Sequence, residues 1–336
     1  MQLPALLVSD LHLTDAPETE YRWGLFPWVN EVCKAEGVRT LLILGDLTDA
    51  KDNHSAELTN RIVEVMKKIP RSISVIILTG NHDWLKAGQE FFRFLNVLPN
   101  VRFITRPTED EDVNGPTAFY LPYSKDPIKD WAPFDFSHYE YLFMHQTVSG
   151  ARSSNGQEME GEALPPLNAG KVYSGDIHVP QVIRDVEYVG SPYHVHFGDD
   201  FIPRAVLLDR NGKASDLHYE TIRRITLKVS SLRELRRAKF RAGDQVKLRI
   251  ELTEAEKHEW SRIRREALAI LKEAEVVISG IELIVIKSTR RISLEESRAS
   301  KHLTPADAVT RFVESEELGG DALDVALDII ETEIPR

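Results

Sequence analysis

One cysteine, Cys33, occurs in 336 residues, which excludes a disulfide framework and a cysteine-based zinc site. A reducing, cytoplasmic compartment fits that scarcity. Long hydrophobic runs are also missing. The longest apolar stretches, such as Thr40–Leu44 and Ile73–Leu78, are strand-sized, against the ~20 residues of a membrane span. No membrane partner is therefore expected. The first residues, MQLPALLVSDLHL, have no basic n-region and soon reach Asp10 and His12, so they do not read as a signal peptide. Positive charge is short: 42 Lys and Arg against 53 Asp and Glu leave a net charge of -11. That argues against a nucleic-acid binder, unless the charge is segregated or a bound cation offsets part of it. Repeats and low-complexity tracts are absent.

What is present is the composition of a folded chain, 42% hydrophobic and 28% charged. Charge is segregated: Ile222 to Ile250 holds ten basic residues and two acids, and Leu303 to Arg336 holds nine acids and two basic residues. The first two-thirds alternate between strand-like and helix-like runs. Ala5–Ser9, Thr40–Leu44 and Ile73–Leu78 read as buried strands. Leu25, Phe26, Val29 and Cys33, and then Leu58, Ile62, Met66 and Ile69, recur at helical spacing. Such alternation predicts an α/β layered fold. Tyr139–Met144, Lys171–Tyr173, Tyr188–Val189 and Ala205–Leu208 read as later strands, and residues 150–170 as a long surface loop. After about Ile222, a one-sided strand over 246–252, a helix opened by a Thr253/Glu256 capping box and a strand over 281–286 suggest a small α+β unit. Ser288–His302 reads as a linker, and two amphipathic helices follow to residue 336.

Five polar elements stand where strands are expected to end: Asp10-Leu11-His12, Gly45-Asp46, Gly80-Asn81-His82-Asp83, His145 and Gly175-Asp176-Ile177-His178. Carboxyl ends of strands are where α/β sheets bind ligands. Strand alternation would point Asp10 and His12 to one side, and the three glycines would permit tight turns. Singly, such elements are weak evidence; in order, they read as a metal site. Carboxylate, imidazole and amide donors suit Mn²⁺, Fe²⁺ or Mg²⁺, with Zn²⁺ also admissible.

The ordered set resembles the calcineurin-like metallophosphoesterase superfamily, and within it the SbcD (MRE-eleven) nuclease group, most of all its phage-encoded members. Tyr188-Val189-Gly190-Ser191-Pro192 matches a segment that follows the last metal motif in that group. The resemblance implies a four-layer sandwich, two mixed sheets flanked by helices, over residues 1–222. It also implies a DNA-binding capping domain over 223–288, a linker over 289–302 and an ATPase-docking tail over 303–336. It implies two divalent ions, Mn²⁺ foremost, one held by Asp10, His12, Asp46 and His178, the other by Asp46, Asn81, His145 and Asp176. Asp176 stands where the family usually has histidine. His82 would act on the leaving group, and Asp49 would help to position His82 or the substrate. Arg223, Arg224, Arg236, Arg237, Lys239 and Arg241 are the candidates for DNA phosphates. The implied activity is 3′→5′ exonuclease on duplex DNA and endonuclease on single strands and hairpins. The implied partners are DNA, an SbcC-type coiled-coil ATPase and a second copy of the chain. Competing readings are another phosphodiesterase or phosphomonoesterase of the superfamily, or a non-catalytic DNA-binding subunit. His54, His138, His194 and His196 stay unassigned, with His196 expected nearest the site.

Overall fold

Four- and five-residue apolar runs build the sheets. A computed structural model describes residues 1–83, 89–110, 112 and 114–286. The expected linker and tail lie outside those residues. In chain order the first elements are β1 (Ala5–Val8), α1 (Leu25–Glu36), β2 (Thr40–Ile43), α2 (Ala56–Lys68), β3 (Ser74–Leu78) and β4 (Val101–Ile104). Next come β5 (Thr108–Glu109), β6 (Ala118–Leu121), α3 (Pro127–Trp131), β7 (Tyr141–His145), β8 (Lys171–Gly175), β9 (Gln181–Ile183) and β10 (Val186–Tyr188). Then follow β11 (Ala205–Leu208), β12 (Ala214–Leu217), β13 (Arg224–Val229), α4 (Leu232–Arg237), β14 (Gln245–Thr253), α5 (Trp260–Glu273) and β15 (Val277–Ile286).

Two six-stranded sheets result, ordered β12-β11-β1-β2-β3-β4 and β5-β6-β7-β8-β10-β9. Both are mixed: β1 to β4 run parallel, as do β6, β7, β8 and β10, while β5, β9, β11 and β12 pair antiparallel. Central parallel strands are buried on both faces, which explains why they read as continuous apolar runs. One face of the first sheet (Leu6, Val8, Leu41, Ile43, Val75, Ile77) packs on α1 and α2. Its other face (Leu7, Leu42, Leu44, Ile76) packs on Tyr120, Phe143 and Tyr173 of the second sheet. The outer face of the second sheet is covered by Trp131 of α3 and by the irregular chain around Val148, Leu164 and Leu167. The layers are four, as expected, although one short helix and a loop form most of the last.

Helix ends follow local chemistry. Ser55 caps α2 by accepting from Leu58 N at 3.0 Å. Gly37 closes α1 in a left-handed conformation, φ 65°, its N–H on Cys33 O. A three-stranded sheet, β13-β14-β15, lies beyond residue 222. There the Thr253/Glu256 pair forms as expected, with Thr253 N 3.0 Å from Glu256 Oε2, but it opens a turn and a short 3-10 segment. The α-helix itself begins at Trp260. Among the described residues, Met1–Glu251 and His258–Ile284 form one compact unit.

Candidate metal centre

All five polar elements converge at the carboxyl ends of the two large sheets. Asp10, His12, Asp46, Asn81 and His82 follow strands of the first sheet; His145, Asp176 and His178 come from β7 and the end of β8 in the second. Asp10, His12 and His178 bring one ligand atom each within 4.8 Å of one another, and so do Asp10, Asp46 and His145, and His12, Asp46 and His82.

The backbone achieves this differently from the sequence expectation. β1 ends at Val8, and Asp10 and His12 converge because both are left-handed, φ 55° and 42°, not through strand alternation. Asp46 and Asp176 share that conformation, φ 53° and 82°. Residues other than glycine rarely adopt it, and such strain gathers at functional sites. Of the three motif glycines only Gly45 has a positive φ, 91°. Gly80 and Gly175 are needed for space: a Cβ at Gly80 would collide with Asp46 Oδ1, and one at Gly175 with Leu44 O and Ser9 Oγ.

Backbone bonds lace the loops together, His12 N to Asp46 O at 2.9 Å and Leu13 N to Leu47 O at 3.0 Å. Asp83, the last residue of its motif and given no role from sequence, is fully buried and accepts from Leu47 N and Gly80 N at 3.1 and 3.0 Å. The Ser191 of the GSP segment joins two loops, its Oγ on Asp10 O at 3.2 Å and its N–H on His178 O at 2.9 Å. Arg22, which carries no sequence signal, is buried and donates to both His12 O and Val195 O. Asp199 accepts from Val195 N and His196 N, both at 2.8 Å, and so fixes the turn that stacks the exposed His196 ring 5.4 Å from that of His178. His196 therefore lies beside the donors, as expected.

Polar atoms in the centre lack partners. Asp10 Oδ2, Asn81 Oδ1 and His145 Nε2 are buried with no hydrogen bond. His145 donates Nδ1–H to Leu44 O at 2.6 Å, which leaves Nε2 as the nitrogen that can offer a lone pair. That atom faces Asp46 Oδ1 at 3.4 Å and Asp176 Oδ1 at 3.6 Å, so lone pairs meet there unless a proton or a cation stands between them. Similarly, His12 Nε2 and His178 Nε2 stand 3.0 Å apart. Burial pushes the Asp10 carboxyl up to about 7 and the His12 and His178 imidazoles down to about 3 and 4, because the protein interior disfavours isolated charge. Asp46 is pushed well up for the same reason, with the neighbouring Asp83 adding to it. Neutral imidazoles, buried carboxyls and unmatched oxygens fit a cation-binding site.

Around this set, Asp49 is exposed and plays two parts. Its carboxylate lies 3.3 Å from His12 Nδ1, and the bond to His12 holds its carboxyl down to about 2. Its carbonyl, not its carboxylate, accepts Nδ1–H of His82 at 2.6 Å. Asp176 accepts a hydrogen bond from Thr147 Oγ1.

The basic residues after 222 divide. Arg223 binds the buried Asp244 carboxylate at 2.5 Å, and Arg224 donates to Val195 O at 2.7 Å and Gln245 Oε1 at 3.0 Å. Both guanidiniums thus have partners within the chain. Arg236, Arg237, Lys239 and Arg241 are exposed on α4 and the chain after it.

One solved structure, described as "Crystal structure of Pseudomonas putida nuclease MPE", is similar over 64% of this chain and 79% of that one, at 16% identity and a TM-score of 0.32. The sequence profile described as "Calcineurin-like phosphoesterase" matches residues 3–180, more than half the chain. That match starts before Asp10 and ends after His178, enclosing every donor that the two sheets bring together. This chain belongs to the calcineurin-like phosphoesterase family.

Proposed function

We propose that the chain is a divalent-metal-dependent phosphodiesterase that cleaves DNA, the nuclease subunit of an SbcC-type ATPase complex. It would act as a 3′→5′ exonuclease on duplexes and as an endonuclease on single strands and hairpins. The observation that carries the hydrolytic part is the convergence of buried, unpartnered donors at the ends of two sheets. Asp10, His12, Asp46 and His178 would hold one ion, and Asp46, Asn81, His145 and Asp176 the other, with Asp46 shared. Mn²⁺ suits a set of three carboxylates, three imidazoles and an amide. Bound there, two such ions supply charge neutralisation and an activated water for in-line displacement.

The chain's own residues do the rest. His82 donates Nδ1–H to Asp49 O, so Nε2 is the nitrogen left for substrate. That nitrogen carries a proton only in the imidazolium form, and in that form it can protonate a departing sugar oxygen. Asp49 holds the His82 ring through its carbonyl and braces His12 through its carboxylate. The exposed cations Arg236, Arg237, Lys239 and Arg241 support a polyanionic substrate over a small one. Residues 303–336 are the proposed docking element for the ATPase, and a second copy of the chain is the other proposed partner.

The test is cleavage of end-labelled duplex, single-stranded and hairpin DNA with Mn²⁺ or Mg²⁺, beside p-nitrophenyl phosphate. Metal-dependent DNA cleavage is expected. A chain that hydrolyses only the monoester overturns the nuclease reading. Truncation after His302 should abolish co-purification with the ATPase and leave cleavage intact.

A further inference from the structure

We infer that a cleft beside the metal centre, where β4 and β6 end, holds the phosphate backbone of the nucleic-acid strand being cut. The inference rests on the phosphodiesterase reading above and adds to it where the substrate lies.

The cleft has a volume of about 730 Å³ and opens between residues 90–96, 105–107 and 122–131. Thr79 ties together the chain segments that flank the cleft. The N–H and Oγ1 of Thr79 both reach Ile104 O, at 3.0 and 2.8 Å, and its carbonyl accepts from Tyr123 N at 2.8 Å. One residue thus joins the ends of β3 and β4 in one sheet to the end of β6 in the other. Thr79 directly precedes Gly80-Asn81. Ser124 N donates to Gln146 Oε1 at 3.2 Å, and Gln146 directly follows His145. The wall of the cleft is therefore bonded to two of the loops that carry donors. Burial, then the negative charges of Asp176, Glu162 and Asp46, push the Tyr123 hydroxyl up, as expected of a ring between cleft and centre.

Charge in the cleft is unbalanced in its exposed part. Glu90 is 6% exposed; Asp126, which caps α3 through Lys129 N at 3.2 Å, and Asp130, which accepts from Ser124 Oγ at 2.6 Å, are exposed and keep their charge, against the four cations Arg93, Arg106, Lys125 and Lys129. Arg93, Arg106 and Lys129 are exposed, and their side chains make no ion pair or hydrogen bond among the described residues. Several unpaired cations in one cleft stand out on a chain of net charge -11. They suit a ligand whose negative charge recurs along its length. A lone phosphate ester fills only the metal centre, whereas a strand continues past it. Binding of this kind adds affinity without reading sequence.

The test uses the full chain with Mn²⁺ and compares kcat/KM on a long oligonucleotide with that on a dinucleotide, across a salt series. In Arg106→Glu/Lys129→Glu the preference for the long substrate should fall about tenfold or more. The dependence on log salt should become shallower by about 0.7 for each phosphate that the variant no longer neutralises. Metal content per chain reports whether the centre is intact, and Arg106→Ala/Lys129→Ala serves if charge reversal impairs folding. An unchanged preference and salt slope in both variants overturns the cleft while the phosphodiesterase reading stands. A wild-type chain that cuts neither substrate overturns that reading, and this inference with it.

Discussion

The strand-end loops and the three-stranded sheet treat charge in opposite ways. In the loops, Asp10, Asn81 and His145 keep buried polar atoms without partners. In the small sheet, Arg223 meets Asp244, Lys228 meets Glu251 and Arg249 meets Glu282. An unmatched buried polar group costs about 1–3 kcal/mol, so a fold that tolerates several in one place is organised for a ligand. Exposed ion pairs contribute about 0–1 kcal/mol each, so the sheet gains little from Lys228–Glu251 and Arg249–Glu282, whereas the Asp244 carboxylate of the first pair is buried. What the pairs do is remove positive charge that a count along the sequence would credit to nucleic-acid binding.

The comparison breaks most sharply at Asp46, shared between both candidate ion sites. Asp46→Ala should abolish metal binding and phosphodiesterase activity with the fold retained; two bound ions in that variant, by elemental analysis, would disprove the shared role. His82→Ala sharpens the boundary of the centre, because His82 bonds to Asp49 O and is proposed to act on substrate. Metal content should persist while turnover drops ~10²–10⁴-fold, and near-normal single-turnover rates would remove His82 from the mechanism. A smaller effect is expected at Asp176, where Asp176→His should shift relative affinity toward softer ions such as Zn²⁺. An unchanged calorimetric profile across metals would show that Asp176 is no ligand.

The smallest effect belongs to the small sheet. The Asp244 carboxyl is buried, yet Arg223 and the N–H groups of Arg223 and Arg241 outweigh that burial and hold it below the usual carboxylate range. A group depressed on folding stabilises above its unfolded value, ~3.9, and that stability is lost as pH falls through the folded value. Asp244→Asn should cost about 1–3 kcal/mol near neutrality and flatten the acid limb of a urea-stability curve. A parallel acid limb in the variant would count against the pairing.

Much of the layered core is legible in sequence because parallel strands are buried on both faces and leave unbroken runs such as Leu41–Leu44. Mixed strands are less legible: β4 carries Arg102 between apolar neighbours. α4 hides among arginines that look like a ligand-binding patch. At the site, donor identity is legible because Asp, His and Asn after an apolar run have little structural use. The manner of their convergence is not, since positive φ at Asp10 and His12 leaves no sequence mark. Arg22, Ser191 and Asp199 act by bonding to carbonyls and N–H groups far along the chain, and no local pattern encodes that.

The left-handed backbone at Asp10, His12, Asp46 and Asp176 limits how this centre can diverge. Only glycine, and to a lesser degree asparagine, aspartate and histidine, enter that conformation readily. Glycine would relieve the strain and delete the donor. Glutamate offers the right oxygen on a backbone that resists it. The substitution alphabet at four positions is thus filtered twice, by metal chemistry and by torsion, and shrinks to Asp, Asn and His. An engineer seeking a new metal preference here has little to exchange but one of these for another.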